Sequence, residues 1–460
     1  MKKVIYLFAS IFMLGATLTS CDSDDEGGNT PDPDPTPLYT ELSGNLTTQT
    51  LTKDKKYLIK GQTFVRTGQV LTIQPGTVIF GDKATKGTLV IDRGGKLEAS
   101  GTAAEPIVFT SSLAPGTRDR GDWGGLVILG KANVNQDNPA IEGISPAANF
   151  GGTDDADDSG ALKYVRVEFA GIELTPNNET NSITLGAVGS QTEMEYCQVS
   201  YGGDDGFEWF GGTVNGNYLI AFACWDDSFD VDFGYTGKNQ FGVEVRYPSY
   251  ADQSGSNSFE CDNGPNDNVT TLLTTGVFSN FTCVGPKSTN AQSVNANYQH
   301  SIDLRRRTAV TIANSVFIGY PRGIRMNQQS VYDNYAANTG KLLNNIMVAP
   351  TTTYSVGTGM TATATDVGNW FTVTNTSITA ATEDQFAVLG LASNIAFGQN
   401  LPSSYPANPN FAVTAGSLAT GAAFTDAKLA GLTSVSYRGA FGATDWTDGW
   451  AEFLPNAKVY

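Results

Sequence analysis

From Leu38 onward the apolar residues of the chain alternate in short runs, as in Leu71-Thr-Ile-Gln-Pro-Gly-Thr-Val-Ile, and no stretch sustains the 3.6-residue spacing of an amphipathic helix. The runs repeat. Leu71–Ile79 overlays Leu89–Leu97 at a shift of 18, with Ile107-Val-Phe starting again 18 later. A longer match sets Tyr196–Glu208 over Tyr218–Asp230 at a shift of 22, and Tyr164-Val-Arg-Val-Glu-Phe-Ala-Gly fits the same frame. Repeats of that length, built from strands and turns, are the size of one turn of a parallel β-helix. In such a coil Phe207 and Phe229 stack inside, and Trp209 shares their inward parity. An array of β-sandwiches is the competing architecture, but its hairpin connections would not produce coil-length overlays. Asn280, Asn314 and Asn344 each open an Asn-x-x-x-hydrophobic-small pattern, which predicts a stacked ladder of left-handed turn asparagines. At ~20 residues and ~4.8 Å per coil, the expected rod is on the order of 80 Å long.

Composition agrees with many tight turns: 51 glycines stand against 19 prolines. A single histidine excludes any scheme needing two imidazoles, including a three-histidine zinc site. The formal charge of −18 argues against a nucleic-acid partner, whose affinity requires clustered Lys and Arg.

The N-terminus reads as an address. Lys2 and Lys3 precede an apolar run from Val4 to Ala16, and Leu18-Thr-Ser-Cys21 has the form of a bacterial lipobox. Residues 1–20 are therefore expected to be a lipoprotein signal peptide, with Cys21 the lipidated residue and the membrane anchor. An acidic, Pro-rich tether covers 21–38; its Asp-Ser-Asp-Asp-Glu opening resembles the export signal that sends Bacteroidota lipoproteins to the outer face of the outer membrane. A parallel β-helix is expected over 39–385 and C-terminal coils with a cap over 386–460. There Phe424–Leu432 reads as a short helix, and Trp446, Trp450 and Phe453 are expected to close the apolar end of the last coil.

Several motifs carry a resemblance. Leu71-Thr-Ile-Gln-Pro-Gly-Thr, Glu105-Pro-Ile-Val-Phe-Thr-Ser, Gly121-Asp-Trp-Gly-Gly-Leu-Val-Ile-Leu-Gly-Lys-Ala, Asp204-Asp-Gly-Phe-Glu-Trp-Phe-Gly-Gly and Tyr437-Arg-Gly-Ala-Phe-Gly-Ala resemble a widespread family of bacterial cell-surface β-helix proteins, many of them Bacteroidota lipoproteins. The resemblance implies an all-β, single-stranded right-handed parallel β-helix of the pectin-lyase-like type at the cell surface. It implies no particular activity.

The charge is localised. Between Ser190 and Thr270 fourteen acids face only Lys238 and Arg246, and with the six acids of the tether they account for the whole −18. The 22-residue overlay places Asp204 over Asp226, Asp205 over Asp227 and Glu208 over Asp230. Two carboxylates ~5 Å apart repel by ~3 kcal/mol at an effective dielectric of 20. Three outcomes follow: a solvated acidic stripe, a cation site for which calcium is the natural ion, or a catalytic centre. The catalytic version rests on Asp204, Asp205, Asp226 and Asp227, because Gly203-Asp-Asp-Gly resembles the Gly-Asp-Asp element of polygalacturonase-type hydrolases. The Gly-His-Gly and Arg-x-Lys of those enzymes are missing. His300 reads as a turn or surface residue. Arg305, Arg306, Arg307, Arg322 and Arg325 could furnish the arginine of a lyase, pair with the acidic coils or bind an anion. Of Trp123, Trp209, Trp225, Tyr201 and Tyr235, Trp225 is the expected exposed ring for a sugar face, with Glu208 and Asp230 beside it. Cys261 and Cys283, 22 apart, read either as a disulfide between coils or as buried thiols, like Cys197 and Cys224.

These features predict a lipid-anchored binding or adhesion module of the outer membrane. Its partner would be a glycan, another envelope ligand, or an outer-membrane uptake or assembly complex. A polysaccharide hydrolase or lyase and a purely structural surface rod are the alternatives.

Overall fold

A computed structural model describes residues 39–175, 178–348, 351–378, 385–398, 402–413, 416, 418 and 420–460. The expected signal peptide, Cys21 and the tether lie outside them. Twenty-six strands join one sheet, and every ladder within it is parallel. The sheet winds into a parallel β-helix with three faces. The first face begins at Gln49–Leu51 and Val70–Ile73 and ends at Lys341–Leu343. A second runs from Tyr39–Ser43 through Val316–Ile318 to Thr376–Ile378. The third runs from Asn45–Leu46 through Phe207–Phe210 to Thr352–Val356. Ten successive pairings carry the third face, so at ~4.8 Å each it is about 50 Å long, shorter than expected because inserted loops lengthen the coils.

The 22-residue overlay holds: Phe207 pairs with Phe229 and Glu208 with Asp230. The 18-residue overlay does not. Leu71 lies beside Leu97, and Leu89 beside Thr63 and Leu126. Eighteen residues carry the chain from one face to another within the coil, and similar strand–Gly-turn–strand corners made the faces look alike.

Alternation fills the interior. Phe207, Trp209, Phe229, Val231, Phe259 and Cys261 are all buried in the main core. Between the first and second faces the chain bends at a column of residues with positive φ: Tyr164, Tyr196, Tyr218 and Phe241, then Asn280, Asn314 and Asn344. Left-handed geometry costs a non-glycine residue roughly 1–2 kcal/mol, which the aromatic members offset by stacking at centroid distances of 4.4, 4.3 and 5.1 Å. The asparagines are left-handed as expected, but their amides mainly hold the C-terminal segment: Asn280 donates to the Tyr437 carbonyl and Asn314 to that of Ala423. The ladder along the stack stands one position later, where the Asn345 N–H donates to Asn375 Oδ1 and the Ser315 N–H to Asn345 Oδ1.

Trp446, Trp450 and Phe453 do not close the last coil. The C-terminal segment runs back along the outer side of the second face, with Trp450 edge-on to Tyr164 and Tyr196 and Trp446 edge-on to Tyr218. It reaches Arg118, which donates to the carbonyls of Pro455 and Lys458. From Gly216–Phe222 onward the outward positions of the second face are largely apolar, so Ile220, Phe222, Val243 and Val245 need an outer cover. The last coil is closed instead by a helix at Ala364–Phe371, whose Val367 and Phe371 enter the main core behind a Thr363–Asp366 capping box. Within Phe424–Leu432 only Ala427–Leu429 is helical, as a single 3₁₀ turn. Among the described residues no helix is long and apolar enough to cross a membrane.

Phe371→Ala is expected to destabilise the protein by about 3–5 kcal/mol and Thr363→Ala by about 1 kcal/mol, read from guanidinium unfolding midpoints. A Phe371→Ala variant as stable as the parent would refute the closure.

Candidate functional site

The acidic positions meet at the corner between the second and third faces. Three stacked glycines, Gly121, Gly171 and Gly203, form the floor: a Cβ on Gly203 would lie 2.3 Å from the Gly171 carbonyl oxygen. The absence of Cβ atoms lets these levels stack closely, and with Trp225 at the next level they line a cleft of about 800 Å³. Asp204, Asp226, Glu179, Asp252 and Arg120 also line it. A smaller hollow of about 310 Å³ shares Asp204 and Glu179 with the cleft and continues past Glu208 to Phe210 and Phe233.

Asp205 and Asp227 have a structural task that the sequence did not disclose. The Asp227 N–H donates to Asp205 Oδ1 at 2.8 Å, the Asn257 N–H donates to Asp227 Oδ1, and the His300 N–H donates to Asn257 Oδ1 at 2.9 Å. Each side chain thus ties its level to the next. On the third face, Glu208, Asp230, Glu260 and Asp303 form one outward column and Asp232 and Asp262 another. One oxygen from each of Asp204, Asp205 and Asp226 lies within 4.8 Å of the others, and the same is true of Asp205, Glu208 and Asp230, and of Asp227, Asp230 and Glu260.

Compensation is uneven. At the C-terminal levels Arg305 bonds Glu260 and Asp262, Arg306 bonds Asp262 at 2.8 Å, and Arg325 grips Asp303. Arg307 lies 3.8 Å from Asp267, and Arg322 donates to Gln299. Among the described residues no lysine or arginine forms an ion pair with Asp204, Asp205, Glu208, Asp226, Asp227, Asp230 or Asp232. Arg246 lies nearby, but it is fully buried, is 3.7 Å from Glu244 and holds the Ser228 hydroxyl and the Trp225 carbonyl.

Burial, and then neighbouring carboxylates, push Asp204, Asp205, Glu208, Asp227 and Asp230 well above the usual carboxylate range. Burial raises Asp226 and Asp262 to about 6, Asp232 to about 7 and Glu260 to about 8. Asp226 Oδ1 and Asp230 Oδ1 are buried without a donor. Such oxygens, all acceptors, fit a hard cation better than they fit one another.

Several expectations change here. Trp225 is half-buried rather than exposed: Arg120 stacks 3.4 Å over its ring, Tyr250 packs edge-on, and its Nε1 donates to Asp252. Trp123, Trp209, Tyr201 and Tyr235 are buried. His300 is 2% exposed and lies in a strand, because the inward–outward alternation carries it under the next coil; burial lowers its pKa to about 4. All four described cysteines are buried free thiols. Cys261 faces Val231 and Leu304 on the third face while Cys283 faces Glu244 and Phe317 on the second, so 22 residues here change face. Arg120 and Asp252 come from loops outside the repeat, and no spacing in the sequence pointed to them; Asn181 stands one level above Asp205, 24 residues earlier, beyond the 22-residue match.

The fold and cleft are now joined by a family match: a pectate-lyase-like β-helix domain, over residues 44–390. The chain belongs to that family. A pectate-lyase-like β-helix is compatible with a carbohydrate-related role, and the matched span includes every acidic residue of the cleft. No curated protein and no solved structure matches the chain.

In metal-depleted protein the raised acids must make stability fall with rising pH. Their folded pKa values exceed the unfolded ~4, so protonation favours the native state, and that contribution is lost as the pH passes through about 6 to 8. His300 has the opposite sign, but only below its unfolded ~6.5. Melting temperatures should therefore decline between pH 6.5 and 8 after chelation, and a flat or rising profile would contradict the assignment.

Proposed function

We propose that this pectate-lyase-like β-helix protein is an outer-membrane surface lipoprotein that binds glycan, or another envelope ligand, through the Trp225 cleft. A calcium ion held by Asp204, Asp205, Asp226 and the adjoining Asp227 completes the site. The supporting observation is the uncompensated run of carboxylates, with buried donorless oxygens, opening onto a cleft that has an aromatic wall. Calcium takes six to eight oxygens, and stacked aspartates with turn carbonyls can supply them. Arg120 and Trp225 together offer a flat cationic and aromatic surface beside the ion. Anchorage follows the lipobox ending at Cys21, and the acidic tether would present the solenoid to the exterior, where an uptake or assembly protein could be its partner. The acidic balance argues against nucleic acid as a partner.

A second reading, cleavage of a polysaccharide, draws support from Asp226. A carboxyl with a pKa of about 6 is suited to giving a proton to a glycosidic oxygen. The approach of Asp204, Asp205 and Asp226 to within 4.8 Å is shorter than the ~6.5–9.5 Å of an inverting pair, so the inverting geometry fits these three poorly.

Calcium at 100 times its Kd should stabilise the chelated protein by ~2.7 kcal/mol, seen as a higher melting temperature; no shift would remove the ion. Retention on immobilised glycans should drop at least tenfold in Trp225→Ala, and unaltered retention would remove the platform. Reducing-end or unsaturated-product formation abolished by Asp226→Asn would establish cleavage, whereas activity surviving that change would exclude Asp226. Cys21→Ala should move the protein from the membrane to the soluble fraction.

A further inference from the structure

We propose that the acid ladder holds a second divalent cation, between Asp205, Glu208 and Asp230 and the side-chain oxygen of Asn181, sharing Asp205 with the first. This rests on the cation reading above and adds a site to it.

The register sets Asn181 directly over Asp205, just as Ile183 pairs with Phe207, and it sets Glu208 directly over Asp230. Asn181 is 6% exposed and lines the hollow with Asp204 and Glu208. Its Nδ2 donates to Thr184 Oγ1 at 3.2 Å and to Glu208, while its Oδ1 receives no donor. At every lower level of this corner column the side-chain oxygen accepts the backbone N–H of the next level: Asp205 from Asp227, Asp227 from Asn257, Asn257 from His300. Asn181 is where that pattern stops. Asp230 Oδ1 is likewise buried without a donor.

Three carboxylates and an amide oxygen are acceptors only, and among the described residues no lysine or arginine pairs with those carboxylates. A protonated carboxyl would supply a single proton, enough for one of these acceptors and not for the rest. A cation satisfies all four. The oxygens of Asp205, Glu208 and Asp230 lie within 4.8 Å of one another, the span available to ligands ~2.3–2.6 Å from one calcium ion. Asp227, Asp230 and Glu260 meet the same distance limit, but Arg305 already bonds Glu260, so positive charge is supplied there by the chain itself. Arginines neutralise the ladder at its C-terminal levels and ions at the levels above.

The test is calcium titration of the chelated full-length protein by isothermal calorimetry, with stoichiometry checked by native mass spectrometry. Two equivalents are expected for the parent and for Glu260→Gln, one for Glu208→Gln and for Asn181→Ala, and two again for Asn181→Asp, which restores an oxygen ligand. Melting curves identify any variant that fails to fold, and Asn181→Asp carries the test in that event, since loss of the second ion there would count against the site. One equivalent in the parent, or two retained in both Glu208→Gln and Asn181→Ala, would overturn the second site while leaving the first. Zero equivalents in the parent would overturn both.

Discussion

Parallel in-register stacking is the constraint from which the rest follows. Because each level lies directly over the one before, a residue type repeated at coil spacing becomes a column, and the column multiplies whatever its members do to one another. Phe207, Phe229 and Phe259 stack at 5.9 and 5.0 Å and gain with each level. One position along the same strands, Glu208, Asp230 and Glu260 are stacked by the same pairing, and each contact costs ~3 kcal/mol if both members are charged and nothing intervenes. Inward and outward parity cannot be separated: the register that builds the aromatic core also builds the acid ladder. At Glu260 the chain offsets the ladder itself through Arg305, while among the described residues no lysine or arginine pairs with Glu208 or Asp230.

The second face shows the same constraint solved with apolar residues. Leu219-Ile220-Ala221-Phe222 is a continuous apolar run, so whichever parity faces the core, the other faces outward. A single-layer coil would expose it. The C-terminal segment covers this wall, its tryptophans set edge-on against the tyrosine column at the corner. That column is left-handed at residues whose rings are large enough to stack across levels, and it gives way to asparagine where the rings stop. The segment therefore reads the corner from end to end: indoles meet tyrosines, and carbonyls meet asparagine amides.

How much of this was legible depended on whether a feature repeats. The 22-residue match was read correctly because Asp204–Glu208 and Asp226–Asp230 are consecutive levels of one corner, with no insertion between them. The 18-residue match failed because the three faces share strand–glycine–strand corners, so self-similarity alone cannot tell the next coil from the next face. Cys261 and Cys283 failed for the same reason. The role of the C-terminal segment was hidden in plain composition: a cap and a side cover are both rich in tryptophan, and only the continuous apolar runs of the second face distinguish them. Arg120 and Asp252 belong to no repeat and reach the cleft through loops, a relation that exists only in three dimensions, whereas Asn181 stands one level above Asp205 at a spacing of 24 that the 22-residue match did not cover. The aspartates themselves were found, but not the reason for two of them, since an Asp205 that accepts the N–H of Asp227 looks in sequence like any other acid.

That double use of Asp205 and Asp227 bears on how the site keeps its shape. One oxygen of each is fixed by a backbone N–H of the next level, and the other is left for whatever enters the cluster. An aspartate tied in this way cannot swing to solvent to escape its neighbours, which is how an ordinary acidic stripe relieves repulsion. Asn257, the next member of the column, makes the same tie with no charge, and from that level onward arginines take over neutralisation. Were the column only a structural ladder, asparagine would serve at every level and at lower electrostatic cost. The charge at Asp205 and Asp227 is therefore surplus to the fold, concentrated at the two levels that border the cleft.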